Sequence, residues 1–203
     1  MLDRRLFLLT ASAAAMPLVA RAQMTAPQAT VTPSLQLANT NVVDAMAQAG
    51  NFDSFIELIQ RAGLTDRLRG AGPFTVLAPV NSAIDRIPVH IRDMLNPQPT
   101  GNRTTTDNLP DPVRLPALIN MHIIPGRYTF QDLQGRTAAF RTLNGNTVEI
   151  AQAGSDPFRL RTVGDTGFGI GGVNAELRPA NFLNPEIIAS NGVVLPINIP
   201  LIQ

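Results

Sequence analysis

Residues 72–88 read GPFTVLAPVNSAIDRIP, and the hydrophobic period changes inside them. Phe74, Val76 and Ala78 alternate with Thr75 and Leu77, the period-two pattern of a strand. Pro79 closes that strand, because a proline has no N–H to give to a ladder. Beyond it Ile84 and Ile87 repeat at helical spacing. Asn81 or Ser82 is the expected N-cap, with Asp85 near the positive end of the helix dipole. A strand-to-helix elbow of this kind suits a catalytic turn, a ligand cradle or a joint inside a binding module. The remainder of the chain has to decide among them.

Before the elbow, Thr40 is the expected cap of a helix over NVVDAMAQAG, with Val42, Val43, Met46 and Ala49 on one face. Asn51 starts a second helix in which Phe52, Phe55, Ile56 and Ile59 keep helical spacing, and Gly63 is its expected C-cap. Leu64 and Leu68 mark a short amphipathic turn. After the elbow, VHIRDML extends the helical pattern, and Asn96–Pro112 reads as a proline-rich surface insertion. LPALINMHIIPGRYT then passes from helix (Leu115, Leu118, Ile119) to strand (Ile123, Ile124) at His122. Ala138–Leu143 and Thr147–Ala151 form a hairpin about Asn144-Gly145, and Phe158–Val163 adds a strand. Gly164–Pro185 reads as a long loop. The chain closes on the strand-like IIASNGVVLPINIPLIQ, with Asn191-Gly192 as a turn. Seventeen prolines and fifteen glycines agree with this mixture of short elements. The expected class is α+β.

Several chemistries are excluded outright. The chain has no cysteine, so disulfides, thiolate metal sites and cysteine nucleophiles are absent. Every basic side chain other than the two histidines is arginine, which removes Schiff-base lysines and the phosphate-loop lysine. His90 and His122 lack partners in a metal-ligand register; Asp93, three residues after His90, is a weak pair, and both histidines read as structural. Ser82 has none of the flanking glycines of a nucleophile elbow, so it reads as a capping residue. Gly167–Gly172 matches G-x-G-x-x-G in form only. No βαβ setting surrounds it and Pro179 cuts short any following helix, so a dinucleotide site is rejected. One tyrosine and no tryptophan leave no stacking platform for nucleic acid. No catalytic residue, cofactor or metal is expected.

The N-terminus has the form of an export signal. Arg4 and Arg5 precede the apolar run from Leu6 to Ala20, which is too short to span a bilayer comfortably, and Ala20-Arg21-Ala22 fits a cleavage site. Arg4-Arg5 followed by Leu6-Phe7-Leu8 resembles a bacterial twin-arginine signal. Residues 1–22 are therefore expected to be removed, 23–37 to form a flexible linker and 38–203 to form one domain. Removal takes three arginines and one aspartate, so the formal charge of +1 becomes −1. A periplasmic or secreted location is expected, with no transmembrane span and no nucleic-acid partner.

Three blocks in order resemble the fasciclin-like domain family: GPFTVLAPVNSAI, LINMHIIPGRYT and IIASNGVVLPINIPLI. The resemblance covers roughly residues 38–203. It differs from the usual blocks in Leu77, Asn81 and Ile84, in Met121 where a tyrosine ordinarily precedes His122, and in Leu195-Pro196 and Asn198. It implies a wedge or sandwich of antiparallel strands with packed helices and a non-enzymatic role in adhesion or surface interaction. An envelope protein or surface glycan is the implied partner. The implied interaction candidates are Met121, His122, Ile123, Ile124 and Pro125. The implied structural signature is Phe74, Thr75, Ala78, Pro79, Asn81, Asn191 and Gly192. Some members bind carotenoid-type pigments. That implies, as an alternative, carriage of a lipid or pigment on Met94, Met121, Ile123, Ile124 and Phe182.

Overall fold

The computed structural model describes residues 34–88, 111–151, 159–163, 180–183 and 185–202. Residues 1–33, most of the insertion, VHIRDML with His90, Asp93 and Met94, and Gly167–Gly172 lie outside these. Helix α1 (Val42–Ala49) buries Val42, Val43, Ala45 and Met46. Its cap is Asn41, one residue past the expected Thr40. The Asn41 side chain accepts hydrogen bonds from the N–H groups of Val43 and Asp44. Gly50, at φ 69°, stops the helix in the left-handed region open to a residue without Cβ. Helix α2 (Asp53–Arg61) buries Phe55, Leu58 and Ile59 and ends on Ala62, one residue short of the expected Gly63. Helix α3 (Thr65–Arg69) inserts Leu68 into the core.

The strands are β1 (Ser34–Leu37), β2 (Phe74–Pro79), β3 (Ile123–Pro125), β4 (Thr137–Arg141), β5 (Thr147–Ala151), β6 (Arg159–Val163), β7 (Ala180–Asn181), β8 (Glu186–Ala189) and β9 (Gly192–Ile197). Three further helices interleave them: α4 (Asn81–Ile84), α5 (Arg114–Met121) and α6 (Phe130–Leu133). The larger sheet runs β1-β8-β9-β2-β3 and the smaller β4-β5-β6-β7. The fold is α+β, as the sequence implied. The smaller sheet is antiparallel throughout. The larger one is mixed: β1 with β8 and β2 with β9 are parallel, β2 with β3 and β8 with β9 antiparallel. Parallel neighbours need a long connection, and the chain from β2 to β9 supplies one.

Two segments read as unstructured are not. Ser34–Leu37, assigned to the linker, pair with Glu186–Ala189. Ala180–Asn181, assigned to the long loop, pair with Leu160 and Arg159, and Phe182 bridges across to Ile197 of the larger sheet. Both are too short to show periodicity, and only their partners hold them extended.

One core joins both sheets and the helices. Every residue of β9 is buried, as is β2 beyond Phe74, so the alternation read in Phe74–Ala78 marks a strand but not a half-exposed one: Thr75 and Leu77 are covered as fully as Val76 and Ala78. Val148, Ile150, Leu160 and Ala180 add the inner face of the smaller sheet to the same cluster. Each fully buried Leu, Ile or Val contributes roughly 1.5–3 kcal/mol of transfer free energy.

At the start of β9 the backbones meet without room for a side chain. A Cβ on Gly192 would stand 2.2 Å from the Phe74 carbonyl oxygen and 3.0 Å from Val42 Cγ1. Gly192→Ala is therefore expected to force β2 and β9 apart and cost more than about 2 kcal/mol, since overpacking against backbone finds no flexible neighbour to yield. Thermal denaturation followed by circular dichroism measures this, and an unchanged melting temperature would refute the close approach.

Candidate functional site

The stretch Met121 to Pro125 is where helix becomes strand. Helix α5 ends at Met121, His122 is its C-cap with φ −86° and ψ 0°, and β3 begins at Ile123. The expected switch at His122 is thus the one found. Of the five interaction candidates, Met121, His122, Ile123 and Ile124 are each no more than 1% exposed. Pro125 alone reaches the surface. Met121 accepts a weak hydrogen bond at Sδ from Asn146 Nδ2, 3.4 Å away. The four buried side chains pack against the rest of the domain. Phe182, offered for an apolar ligand, instead packs its ring 5.3 Å from that of Phe130. Met121, His122, Ile123, Ile124 and Phe182 all pack within the core of the domain.

His122 is a four-way joint. Its Nδ1 lies 2.8 Å from the Leu118 carbonyl oxygen, and its Nε2 accepts the Leu201 N–H at 2.9 Å. The second bond needs a lone pair on Nε2, so the proton sits on Nδ1 and is donated to Leu118. The His122 carbonyl accepts the Leu77 N–H at 2.8 Å, and the Phe55 ring centroid is 5.5 Å from the imidazole. One residue therefore holds α5, β2, α2 and the C-terminal segment together. Burial pushes the imidazole down to about 4, against the opposing pull of the Leu118 carbonyl. A neutral ring whose Nδ1–H is donated to Leu118 and whose Nε2 lone pair already accepts the Leu201 N–H has no lone pair open to a substrate proton, so it is a poor general base.

The polar residues of the elbow and the closing turn serve in the same way. Asn81 does not cap its own helix. Val80 occupies the α4 cap position without a side-chain bond. The Asn81 side chain reaches back 27 residues, accepting the Ser54 N–H at 3.1 Å and donating to Asp53 at 3.0 Å. It thereby supplies the cap that Phe52, at the head of α2, cannot. Ser82 is exposed on α4, and Asp85 is the C-cap residue of that helix rather than sitting at its positive end. Thr75, fully buried, donates from Oγ1 to the Gly126 carbonyl and accepts the Tyr128 N–H. Asn191 accepts the Val42 N–H at 2.8 Å through Oδ1 and donates through Nδ2 to the Leu68 and Gly70 carbonyls. Together with Asn41 it satisfies the first three donors of α1 and the exposed carbonyls at the end of α3.

Glu186 is the buried acid. Its carboxylate accepts the Phe130 N–H at 2.7 Å at the head of α6. Burial pushes it above the usual carboxylate range, against that hydrogen bond; Asp132 adds to the rise and Arg127 opposes it. Sequence reasoning missed Glu186, because its polar neighbour is a backbone group 56 residues away. On the surface, Arg69 hydrogen-bonds Asp44 and with Asn41 holds its carboxyl below the usual range. Among the described residues no group of three or more His, Asp or Glu is placed to hold a metal. No described helix is long and apolar enough to cross a membrane.

This arrangement, a mixed sheet pinned by asparagine joints beneath a helical layer, agrees with the sequence relationships. The fasciclin domain family model matches residues 50–203, so the chain belongs to the fasciclin domain family. It is similar to two proteins of Synechocystis sp. (strain ATCC 27184 / PCC 6803 / Kazusa). The uncharacterized protein sll1735 is 25% identical over 76% of this chain and 91% of its own, and protein sll1483 is 24% identical over 92% and 87%. Among solved structures, a FAS1 domain pair from the insect cell adhesion molecule fasciclin I aligns with a TM-score of 0.48 and 20% identity. That alignment covers 76% of this chain and 46% of the pair, so the chain spans less than half of that protein.

Two outcomes test the joints. Asn191→Ala removes the acceptor for Val42 and the donor for two carbonyls, and is expected to cost about 2–4 kcal/mol in urea denaturation. A loss below about 0.5 kcal/mol is the result that contradicts the joint. For His122 the sign is fixed by the depressed value. Between about pH 6.5 and the folded value of about 4, the unfolded chain binds a proton that the folded chain refuses. Stability is thus fully present above that window and is lost as pH falls through it, by about 2 kcal/mol at pH 4.5. Glu186, raised on folding, contributes the opposite slope in acid. The measurement therefore compares unfolding free energies of the parent and His122→Gln at pH 7 and pH 4.5. The parent is expected to lose about 2 kcal/mol more than the variant, and equal losses would show the ring is not buried neutral.

Proposed function

We propose that this chain is an exported, non-enzymatic binding module that meets an envelope protein or surface glycan through its exposed loops and sheet surfaces. The carrying observation is the engagement of its conspicuous polar residues. His122, Asn81, Asn191 and Thr75 each spend their hydrogen-bonding capacity on backbone or neighbouring side chains inside the domain. Groups so committed are suited to hold a shape and not to carry out a reaction. Membership of a family with an adhesion-type role supports the reading, and the signal-like N-terminus supports export.

Carriage of an apolar ligand is the other reading of the same residues. It requires Met121, Ile123, Ile124 and Phe182 to leave the core in which they pack.

The test uses residues 23–203 immobilised and exposed to solubilised envelope fractions. Specific retention of a protein or glycan that a heat-denatured control does not retain is expected. Retention of nothing across repeated preparations would count against a binding module. An absorption band or extractable lipid in the purified protein would favour carriage instead.

A further inference from the structure

Charge is unevenly spread over the layers of the fold. The larger sheet holds no arginine, and its single acid is the buried Glu186. Helices α1 to α3 carry four carboxylates, Asp44, Asp53, Glu57 and Asp66, against three arginines, Arg61, Arg67 and Arg69, of which Arg61 and Arg69 pair with Glu57 and Asp44, so this layer is close to balanced. The smaller sheet is less balanced: its strands contain Arg141, Arg159 and Arg161 against one acid, Glu149. A chain whose formal charge is close to zero thus presents a locally cationic sheet.

The pleat decides which way that charge faces. Val148, Ile150 and Leu160 point into the core, so the alternate positions form the outer face. Arg141 and Arg159 are exposed there. Arg141 registers with Thr147 on β5, while Thr137, Ala151 and Arg159 form a row at the other end. The two arginines therefore occupy opposite corners, about 17 Å apart from two strand spacings and four residues of rise. Arg161 holds the register position beside Glu149 in the middle row.

Between the corners lie Glu149 at the centre and the short side chains Thr137, Ala139, Thr147 and Ala151 around it. Those four short side chains give the face hydroxyls and no aromatic group. A protein interface ordinarily needs an apolar or aromatic core, which this face does not supply. A dense polyphosphate or polysulfate would meet Glu149 in the middle and find cations only at intervals. A polymer with one carboxylate per ring and hydroxyls between fits both features: each guanidinium offers a carboxylate its planar fork, and the threonines take sugar hydroxyls.

We infer that the outer face of the four-stranded sheet docks an acidic, uronic-acid-bearing polysaccharide lying diagonally from Arg141 to Arg159. This deepens the binding-module reading and rests on it.

The experiment passes the full chain over immobilised polygalacturonate and, in parallel, over neutral dextran at low ionic strength. Retention on the acidic matrix alone, released by added salt, is expected, because exposed charges are screened. The double variant Arg141→Glu with Arg159→Glu should bind at least ten-fold more weakly. Arg86→Glu, exposed next to α4, should elute with the parent. Circular dichroism checks that the variants fold, and Arg141→Gln with Arg159→Gln gives a milder pair should the charge reversal disturb the sheet. Failure of the parent to bind polygalacturonate overturns the inference, as does equal binding by folded double variants. If the parent captures an envelope protein yet ignores polygalacturonate, the glycan inference falls and the binding-module reading stands.

Discussion

The parallel pairing of Phe74–Pro79 with Gly192–Ile197 is the constraint on which the remaining architecture hangs. It joins two segments more than a hundred residues apart, and strands this far separated carry a loop-closure cost before any contact compensates. Burial on both faces supplies that compensation, since nearly all twelve residues are shielded from water. The register is held at one end by Gly192, whose missing side chain lets the backbones approach, and by the Asn191 carbonyl accepting the Phe74 N–H. From that pair outward, β8 and β1 extend the sheet on one side and β3 on the other.

The helices are fastened to this pair by polar side chains acting over long sequence distances. Asn191 reaches α1 and α3, Asn81 reaches α2, and His122 ties α5 to the C-terminal segment. The asparagine bonds satisfy backbone groups that helix ends would otherwise leave bare, the histidine bond satisfies the buried Leu201 N–H, and an unsatisfied buried group costs more than a made bond returns. The functional consequence is that the residues with the richest chemistry face inward. What the domain offers to a partner is its surface, and its charge there is uneven: the helices α1 to α3 are nearly balanced, while arginines outnumber acids in the smaller sheet.

Much of this was legible in the chain. The elbow at Pro79, the change of structure at His122 and the hairpin at Gly145, whose φ is 87°, all came from local patterns. Such features depend on neighbours within a few residues, where period and turn chemistry operate. Less legible were Ser34–Leu37 and Ala180–Asn181, whose strand character exists only through their partners. The capping assignments slipped for a related reason. Asn81 opens a helix in sequence, yet the donor its side chain satisfies, the Ser54 N–H, belongs to another helix. Glu186 gave no local sign at all, because its partner is the head of a helix far back in the chain.

The sequence by itself determined the α+β class, the family and the absence of thiol and lysine chemistry, since these follow from composition and from ordered local motifs. Only the tertiary structure decided that Met121, His122, Ile123 and Ile124 are interior, that two pairs of the larger sheet run parallel, and which outer face gathers the arginines. The physical reason is common to all three. Periodicity reports that a residue has an apolar side of its element to occupy. It does not report which distant element will cover that side, and burial, strand direction and charge juxtaposition are properties of the pair.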